Sequence, residues 1–288
     1  MDSIAISEQF SQAGGTLFPD FKAFTQIIWL AILAGLTLSP IETLVPAHKQ
    51  NTFFRKGILL DLVYWFVTPI ITRFFTGLII GVLIYLIFYL LGLRSISISS
   101  ALMGFGPISR QPGWIQTIEI LMIADFIDYW THRTFHFSRF WKIHAIHHTA
   151  EDMSWLSASR LHPLNDLTTR SFQIIPIVLL GFSGSTILTI LPLVSFYVMF
   201  LHSNIRWDFG PFRWILVSPA YHRWHHTSDD DGLDKNFAGI FPIWDLIFGT
   251  AYFPKKLPTK YGLRNQFIPE SLTAQLMFPF SSSNSREL

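Results

Sequence analysis

A histidine triplet with the spacing H-x-x-H-H occurs twice in this chain, and it constrains the fold more than any other feature. The first copy spans residues 144–148, the second spans 222–226, and a further pair, His132 and His136, precedes the first copy. On a helix, residues three or four apart project from one face. Imidazole is the commonest nitrogen ligand for transition metals. We therefore expect the fold to bring these distant segments together around more than one metal ion.

The composition favours a membrane protein. Half of the 288 residues are hydrophobic and only 14% are charged, which is too apolar for an ordinary soluble surface. The net charge of +2 creates no basic field of the kind that attracts nucleic acid, so we expect no nucleic-acid partner. The chain has no cysteine, which excludes disulfides and cysteine-ligated metal centres.

Apolar segments predict the membrane topology. Residues 21–45, 58–93 and 114–130 are long enough to cross a bilayer, or nearly so, because its hydrocarbon core requires roughly 20 residues. Residues 171–201, with a turn signal at 181–185, predict a re-entrant helical hairpin. Basic residues in the loops beside the histidines indicate the cytoplasmic side. We expect an all-α, polytopic membrane helical bundle with about five crossings and a cytoplasmic histidine-rich helical cap.

The chain reads as one integral-membrane domain with short polar ends. Residues 1–20 form a polar N-terminal segment, and residues 281–288 form a polar tail. The domain itself extends over 21–280, with the histidine-rich core at 125–248. The expected location is an integral, multi-pass membrane protein with its active site on the cytoplasmic side.

Ten of the eleven histidines are candidate metal ligands. Eight lie in the three clusters, where a purely structural role would require eight separate sets of buried partners. His162 and His202 stand alone in sequence, but each lies where the chain meets the membrane beside the hairpin. With them, two ions would have five ligands each and an open position, whereas His48 is expected to serve another role. The candidate ligands are His132, His136, His144, His147, His148, His162, His202, His222, His225 and His226.

Polar residues near these histidines are candidate hydrogen-bond partners of the ligands. A metal-bound imidazole usually donates its other N–H to a carboxylate or carbonyl, which sets the tautomer and orients the ring. Asp128 lies one helical turn before His132 and is the first candidate. Asp166 and Asn204 are further candidates, with helix capping or solvation as the alternative for both.

The order and spacing of the histidine motifs resemble those of a known superfamily. H-x-x-x-H, H-x-x-H-H and a distant H-x-x-H-H on a polytopic scaffold resemble the fatty acid hydroxylase and sterol desaturase superfamily of membrane di-iron enzymes. The likeness covers about residues 125–248, and includes DYWTHR at 128–133, RLHPL at 160–164, HSN at 202–204 and HRWHH at 222–226.

That resemblance implies two iron ions, O2 as co-substrate, two electrons from an outside carrier, and hydroxylation or desaturation of a C–H bond in a lipid. Because zinc binds such sites more tightly than Fe(II), purified protein could carry zinc instead. The motifs are compatible with sterol-like and with fatty acyl substrates, and they do not separate hydroxylation from desaturation.

We expect the electrons to come from a separate protein. The chain carries no flavin fingerprint, haem-domain motif or cysteine cluster, so the expected donor is a b-type cytochrome, or a ferredoxin with its reductase. A basic surface formed by Arg133, Arg139, Lys142 and Arg223 is the expected docking site for this donor.

Two other functions fit a histidine-rich membrane protein. One is a zinc transport or metal-binding protein without oxygenase activity. Against it, the histidines gather at one predicted membrane surface and are not spread through the depth of the spans, as an ion pathway would require. The other is a haem protein with two axial histidines, which the tight clusters disfavour.

Overall fold

The computed structural model describes residues 21–49, 54–92 and 98–281 of the chain. The predicted polar segment 1–20 lies outside the described residues, as does all of the predicted polar tail 281–288 except Ser281.

The regular secondary structure of the described residues is helical, apart from two isolated β-bridges that join Pro46 to Ile205 and Thr227 to Tyr261. The predicted all-α class is therefore confirmed. The α-helices are α1 (Phe21–Leu44), α2 (Ile58–Leu90), α3 (Ile98–Met103), α4 (Gly113–Phe135), α5 (Ser138–His144), α6 (Pro163–Leu179), α7 (Gly184–His202), α8 (Pro219–His225), α9 (Ile243–Ile247) and α10 (Leu272–Met277). Short 3-10 helices lie at Ile108–Arg110, His147–Thr149, Trp155–Ser159, Gly210–Phe212, Asp230–Gly232 and Phe278–Phe280.

Three helices among the described residues are long and apolar enough to cross a membrane: Thr25–Leu44 within α1, all of α2 and all of α7. The chain is thus a candidate membrane protein, as its composition predicts. α2 is one continuous helix of 33 residues that runs through Pro69, in agreement with a single predicted element. α4 and α6 form helices where crossings are predicted. The total of five crossings and the cytoplasmic position of the cap stay predictions.

The predicted hairpin is present. α6 ends at Leu179 and α7 begins at Gly184. Gly181 in the turn has a φ of +87°, and a Cβ at this position would lie 2.2 Å from the carbonyl oxygen of Phe105. Both the positive φ and the close approach require glycine. The turn signal in the sequence therefore reflects a local backbone constraint.

The long helices present the same end of the bundle to the histidines. α2 packs along α6, α6 along α4, and α7 contacts α1, α4 and α8. The C-terminal half of α1 reaches the cap through Glu42, which accepts a hydrogen bond from the backbone N–H of Asn204. The N-terminal turn of α2 reaches it through Asp61, which pairs with Arg160. This end of the bundle carries the functional site.

Candidate metal centre

Nine histidines form two groups, and within each group the possible ligand nitrogens all lie within 4.8 Å of one another. Every ring is buried except that of His132, which is partly buried. We call the groups the five-histidine site and the four-histidine site. The five-histidine site comprises His132, His136, His144, His148 and His225. The four-histidine site comprises His147, His202, His222 and His226.

The spacing of the motifs decides which histidine serves which site. In each H-x-x-H-H triplet the outer two histidines, four residues apart, enter one site, and the middle histidine enters the other. Adjacent histidines therefore serve different sites, and the two sites lie side by side: the rings of His148 and His226 have centroids 4.6 Å apart. The first triplet is not one continuous helix, because α5 ends at His144 and the next two histidines lie in a 3-10 helix.

Local sequence signals position the second triplet. α8 begins at Pro219, and the hydroxyl of Ser218 accepts a hydrogen bond of 3.2 Å from the backbone N–H of Tyr221. A Ser at the N-cap and a Pro at the first helical position are common helix-start residues. The short helix then places His222 and His226 on one face.

Hydrogen bonds to the rings determine the tautomers in the four-histidine site. Nδ1 of His147 lies 3.1 Å from the carbonyl oxygen of Arg160, and Nδ1 of His202 lies 2.8 Å from that of Val198. A carbonyl oxygen can only accept, so each ring carries its proton on Nδ1 and a lone pair on Nε2. The two Nε2 atoms are nevertheless 3.0 Å apart. Two facing lone pairs repel, and a cation between them removes this repulsion.

The five-histidine site has the same arrangement. Nδ1 of His132 lies 2.8 Å from the carbonyl oxygen of Phe237, and Nδ1 of His144 lies 2.7 Å from Oδ1 of Asn165. Their Nε2 atoms are 3.0 Å apart. Two further rings have partners at Nδ1: the carbonyl oxygen of Lys235 lies 2.9 Å from that of His225, and Oδ1 of Asp234 lies 2.9 Å from that of His136.

The donor atoms fit transition-metal ions. Nitrogen ligands lie about 2.0–2.1 Å from an ion such as zinc, which separates neighbouring ligand atoms by roughly 3.0–3.4 Å. Within the four-histidine site the closest Nε2 pairs are 3.0, 3.1 and 3.2 Å apart. In the five-histidine site, Nε2 of His148 and Nε2 of His225 are buried and find no hydrogen-bond partner in the described part of the chain. Such nitrogens are available to a metal.

Burial keeps these imidazoles neutral, which is the form that binds metal. Burial lowers the pKa of His147 well below its ordinary value, and repulsion from His202 lowers it further. The pKa of His225 is lowered well below its ordinary value in the same way, first by burial and then by the charge of a protonated His132. The site therefore disfavours protons and favours a multivalent cation.

His162, an expected ligand, lies outside both groups. Its Nδ1 accepts a 3.0 Å hydrogen bond from the backbone N–H of Leu164 and caps α6. Its Nε2 then carries the proton and donates to the carbonyl oxygen of Leu276 at 3.1 Å. Both nitrogens of this ring are thus engaged in hydrogen bonds, and the two groups contain nine of the ten candidate histidines. His48 also lies outside both groups, with its Nε2 2.8 Å from the hydroxyl of Tyr261.

The three candidate partners of the ligands have other contacts. His132 is held by Phe237 and not by Asp128. Both carboxylate oxygens of Asp166 lie 2.8 Å from Nε of Arg170, which donates to them. Asn204 contacts the backbone of His48, at 2.8 and 3.1 Å, together with Glu42 and Arg223.

The partners that the structure does provide were missed from the sequence. Asn165 follows the RLHPL motif directly, so its proximity to predicted ligands was a usable signal. Asp234 lies 98 residues from His136, at a distance that no local pattern spans. The other partners are backbone carbonyls, which any residue supplies and no motif reveals.

A buried charge network supports the four-histidine site. Asp61 of α2 accepts from Nη2 of Arg55 at 2.5 Å and from Nε of Arg160 at 2.6 Å, and all three side chains are at most 1% exposed. Arg160 is also the residue whose carbonyl holds His147. Asp61 therefore orients the backbone that sets the tautomer of a ligand ring.

The expected docking surface requires one correction. Arg223 is fully buried, and its guanidinium donates to the carbonyl oxygens of Ser203 and Met153. It cannot contact a partner protein, because these hydrogen bonds hold it inside the cap. Arg139 is exposed, and Nζ of Lys142 donates to the carbonyl oxygen of Ser281.

Comparison with known proteins identifies the family. Residues 117–250 match the family described as Fatty acid hydroxylase. The chain is 30% identical over 179 residues to the ornithine lipid hydroxylase OlsE of Rhizobium tropici, 35% over 128 residues to the alkylglycerol monooxygenase of Homo sapiens, and 28% over 148 residues to methylsterol monooxygenase 1 of Rattus norvegicus.

These alignments cover 62%, 44% and 49% of this chain, and 54%, 28% and 49% of the respective relatives. The chain thus spans about half, or less, of the length of these relatives. No solved structure gives a significant match. The resemblance inferred from the histidine motifs is confirmed.

Proposed function

This chain carries a fatty acid hydroxylase domain, and from that premise we propose that it is a membrane di-iron oxygenase that uses O2 and two externally supplied electrons to hydroxylate a C–H bond of a lipid. One observation carries the proposal. Rings whose protons are held on Nδ1 direct their Nε2 lone pairs at one another in two adjacent groups. Such an arrangement is suited to binding cations.

The five-histidine and four-histidine sites would each hold one iron. When bound, a pair of irons supplies the oxidising power to activate O2 against an aliphatic C–H bond. The protein holds the imidazoles neutral by burial and orients them through carbonyl and amide oxygens, the usual partners of metal-bound histidine. The four-histidine site offers one ligand fewer, which leaves more of the coordination sphere to ligands from outside the protein.

An apolar wall adjoins the four-histidine site. Trp155, Phe196 and Phe200 pack with Met199 against buried residues of α1 and α2. Phe196 to Phe200 lie in α7, directly before the ligand His202. An apolar approach of this kind suits a lipid chain and keeps water from the reacting carbon. Because the matched relatives are named as hydroxylases and monooxygenases that act on lipids, we favour oxygen insertion over desaturation.

The electron donor is a separate b-type cytochrome, or a ferredoxin with its reductase. The exposed Arg139 on α5, next to the ligand His144, together with Arg133 and Lys142, forms the basic surface at which it would dock. Complementary charges steer such encounters and are screened by salt. Turnover at limiting donor concentration should therefore fall as salt is added.

The test is lipid profiling of cells that express the wild type, His225→Ala or His48→Ala, combined with iron quantitation of the purified proteins. We expect a lipid that gains one oxygen atom in the wild type and in His48→Ala, and no such product in His225→Ala, which should also bind less iron. Zinc flux into proteoliposomes without oxygen consumption would instead identify a metal transporter.

A further inference from the structure

Two segments of the cap expose large apolar side chains outside the candidate membrane spans. They are residues 209–217 and 237–248, joined by a hydrogen bond of 2.9 Å from the backbone N–H of Val217 to the carbonyl oxygen of Ile240. The exposed side chains on these segments, which we call the apolar wedge, are Phe212 (65% exposed), Ile215 (59%), Ile243 (43%), Leu246 (48%) and Ile247 (60%).

The two segments lie alongside the bundle and not above the cap. The carbonyl oxygen of Val217 accepts a hydrogen bond from the hydroxyl of Tyr197 on α7, five residues before the ligand His202. The 239–241 backbone binds Asp125 on α4, seven residues before the ligand His132. At a rise of 1.5 Å per residue, Tyr197 and Asp125 lie about 7.5 and 10.5 Å along their helices from the ligand histidines, on the bundle side.

The first part of the second segment, residues 237–241, satisfies its backbone donors inside the protein. Five consecutive N–H groups, those of residues 237–241, donate to two buried carboxylates. Phe237 and Ala238 donate to Asp245 at 2.8 and 2.9 Å. Gly239, Ile240 and Phe241 donate to Asp125 at 3.1, 2.7 and 2.8 Å. A non-helical backbone can lie at hydrocarbon depth only when such groups are satisfied inside the protein.

The wedge adjoins exposed apolar surface of α4, where Phe126 is 38% exposed. The ring of Trp244 contacts that of Phe126 on α4, with centroids 4.9 Å apart, and its Nε1 donates to Asp125 at 3.0 Å. The segment therefore covers a carboxylate of α4 on one side and exposes aliphatic side chains on the other.

We propose that the apolar wedge is inserted into the hydrocarbon layer of one leaflet, where lipid acyl chains contact Phe212, Ile215, Ile243, Leu246 and Ile247. The short helix α9 then acts as a membrane-embedded cover that shields Asp125 from lipid and lets α4 lie at membrane depth. This inference depends on the membrane location of α1, α2 and α7, and it is independent of the oxygenase chemistry.

Single-cysteine labelling tests the insertion, and the cysteine-free chain needs no background substitutions. Ile215→Cys, Ile247→Cys and the control Lys255→Cys, whose native side chain is exposed outside the wedge, would each carry a nitroxide. The full-length proteins would be reconstituted in phosphatidylcholine vesicles. Collision rates would be measured with oxygen, which concentrates in hydrocarbon, and with a water-soluble nickel chelate. Variants that bind metal as the wild type does show that the fold is intact.

We expect the ratio of oxygen to nickel collisions to be several-fold higher at both wedge positions than at Lys255→Cys. Equal ratios at all three positions would overturn the proposal. Low collision rates with both reagents, together with dipolar broadening between labels, would mean that a second copy of the protein covers the wedge. That result would also overturn the proposal. The collision measurement needs no enzymatic turnover. A protein that shows a lipid-exposed wedge but no oxygenase activity would therefore count against the proposed function and not against the wedge.

Discussion

Nε2 of His147 and Nε2 of His202 lie 3.0 Å apart although each ring donates its Nδ1 proton to a backbone carbonyl. Neither nitrogen can donate to the other without a second proton. Burial opposes that proton, since it lowers the pKa of His147 well below the ordinary value. The arrangement therefore suits a cation bound between the two nitrogens.

Removing one ligand from either site should release the metal of that site. We expect His147→Ala and His132→Ala each to bind about one ion where the wild type binds two, and to lose activity, because each ring supplies a nitrogen to a different group. Elemental analysis of purified protein measures this. His48→Ala is the control and should keep both ions. Wild-type metal content in His147→Ala would show that its ring is not a ligand.

Substitution of His162 should affect stability and spare the metals. The ring caps α6 and bonds Leu276, so His162→Ala should cost about 1 kcal/mol of unfolding free energy, the usual cost of a lost N-cap. His162→Asn, which keeps a capping oxygen, should recover part of it. Both variants should bind metal as the wild type does, and a missing ion in both would restore His162 as a ligand.

A chain of hydrogen bonds runs from Arg133 to the five-histidine site. Arg133 donates to the hydroxyl of Tyr129 at 2.9 Å. That hydroxyl lies 2.9 Å from Oγ1 of Thr250. The Thr250 hydroxyl donates to Asp245 at 2.6 Å. Asp245 in turn accepts from the N–H of Phe237, whose carbonyl holds His132. The chain orients a ligand without touching the metal.

Thr250→Val keeps the shape of the side chain and breaks this chain. We expect the affinity of the five-histidine site to fall roughly 10- to 100-fold, as is typical when the support of a ligand is lost, with the four-histidine site unchanged. Titration of metal-free protein with Co(II), followed by absorption, separates the two sites. Thr259→Val removes a hydroxyl bonded to the exposed Asp229 and should leave both affinities as they are. Equal weakening of both sites by Thr250→Val would contradict the assignment.

Loss of the buried carboxylate at Asp61 should destabilise the protein strongly. Asp61→Asn leaves Arg55 and Arg160 buried without a counter-charge, which costs about 3–5 kcal/mol. Denaturant unfolding in detergent measures the change. In the matched pair on α6, Arg170 is 43% exposed, so Asp166→Asn should cost no more than about 1 kcal/mol. Similar losses of unfolding free energy in the two variants would show that the buried charge network does not stabilise the protein more than an exposed ion pair.

The metal-free protein should lose stability as the solution becomes acidic. The pKa values of His147, His222 and His226 are lowered well below 6.5, first by burial and then by neighbouring histidines. Above pH 6.5 these rings are neutral in both the folded and unfolded states, so their contribution is fully present. Below it the unfolded chain takes up protons that the folded site excludes, and each such ring lowers stability by up to about 1.4 kcal/mol per pH unit.

Denaturant unfolding of chelator-treated protein at a series of pH values measures this effect. Stability should be constant from neutral pH down to about 6.5 and decline progressively below it. In the metal-loaded protein protons also compete with the ions, so metal release should begin in the same acidic range. A stability that does not change as the pH falls well below 6.5 would mean that the rings are accessible to water and protons in the folded state.

The sequence determined the helices and the kind of ligand. Long apolar runs and helix-start residues act locally, so α1, α2, the turn at Gly181 and the hairpin were predictable. The clustering of histidines is a local property as well, and it identified eight of the nine that converge, whereas His202 stands alone in sequence. The resemblance to the fatty acid hydroxylase superfamily depends on these same motifs.

Only the tertiary structure decided how the histidines divide and what holds them. The middle ring of each triplet serves the other site because of where distant segments pack, and His162 is excluded because Leu276, 114 residues away, occupies its second nitrogen. Backbone carbonyls such as those of Phe237 and Lys235 carry no side-chain signal. Arg223 has the charge expected of a docking residue, yet it is buried by contacts that form only when the chain folds. Spacing along the chain determines which side chains can share one face of a helix. Packing between distant segments determines which residues those side chains contact.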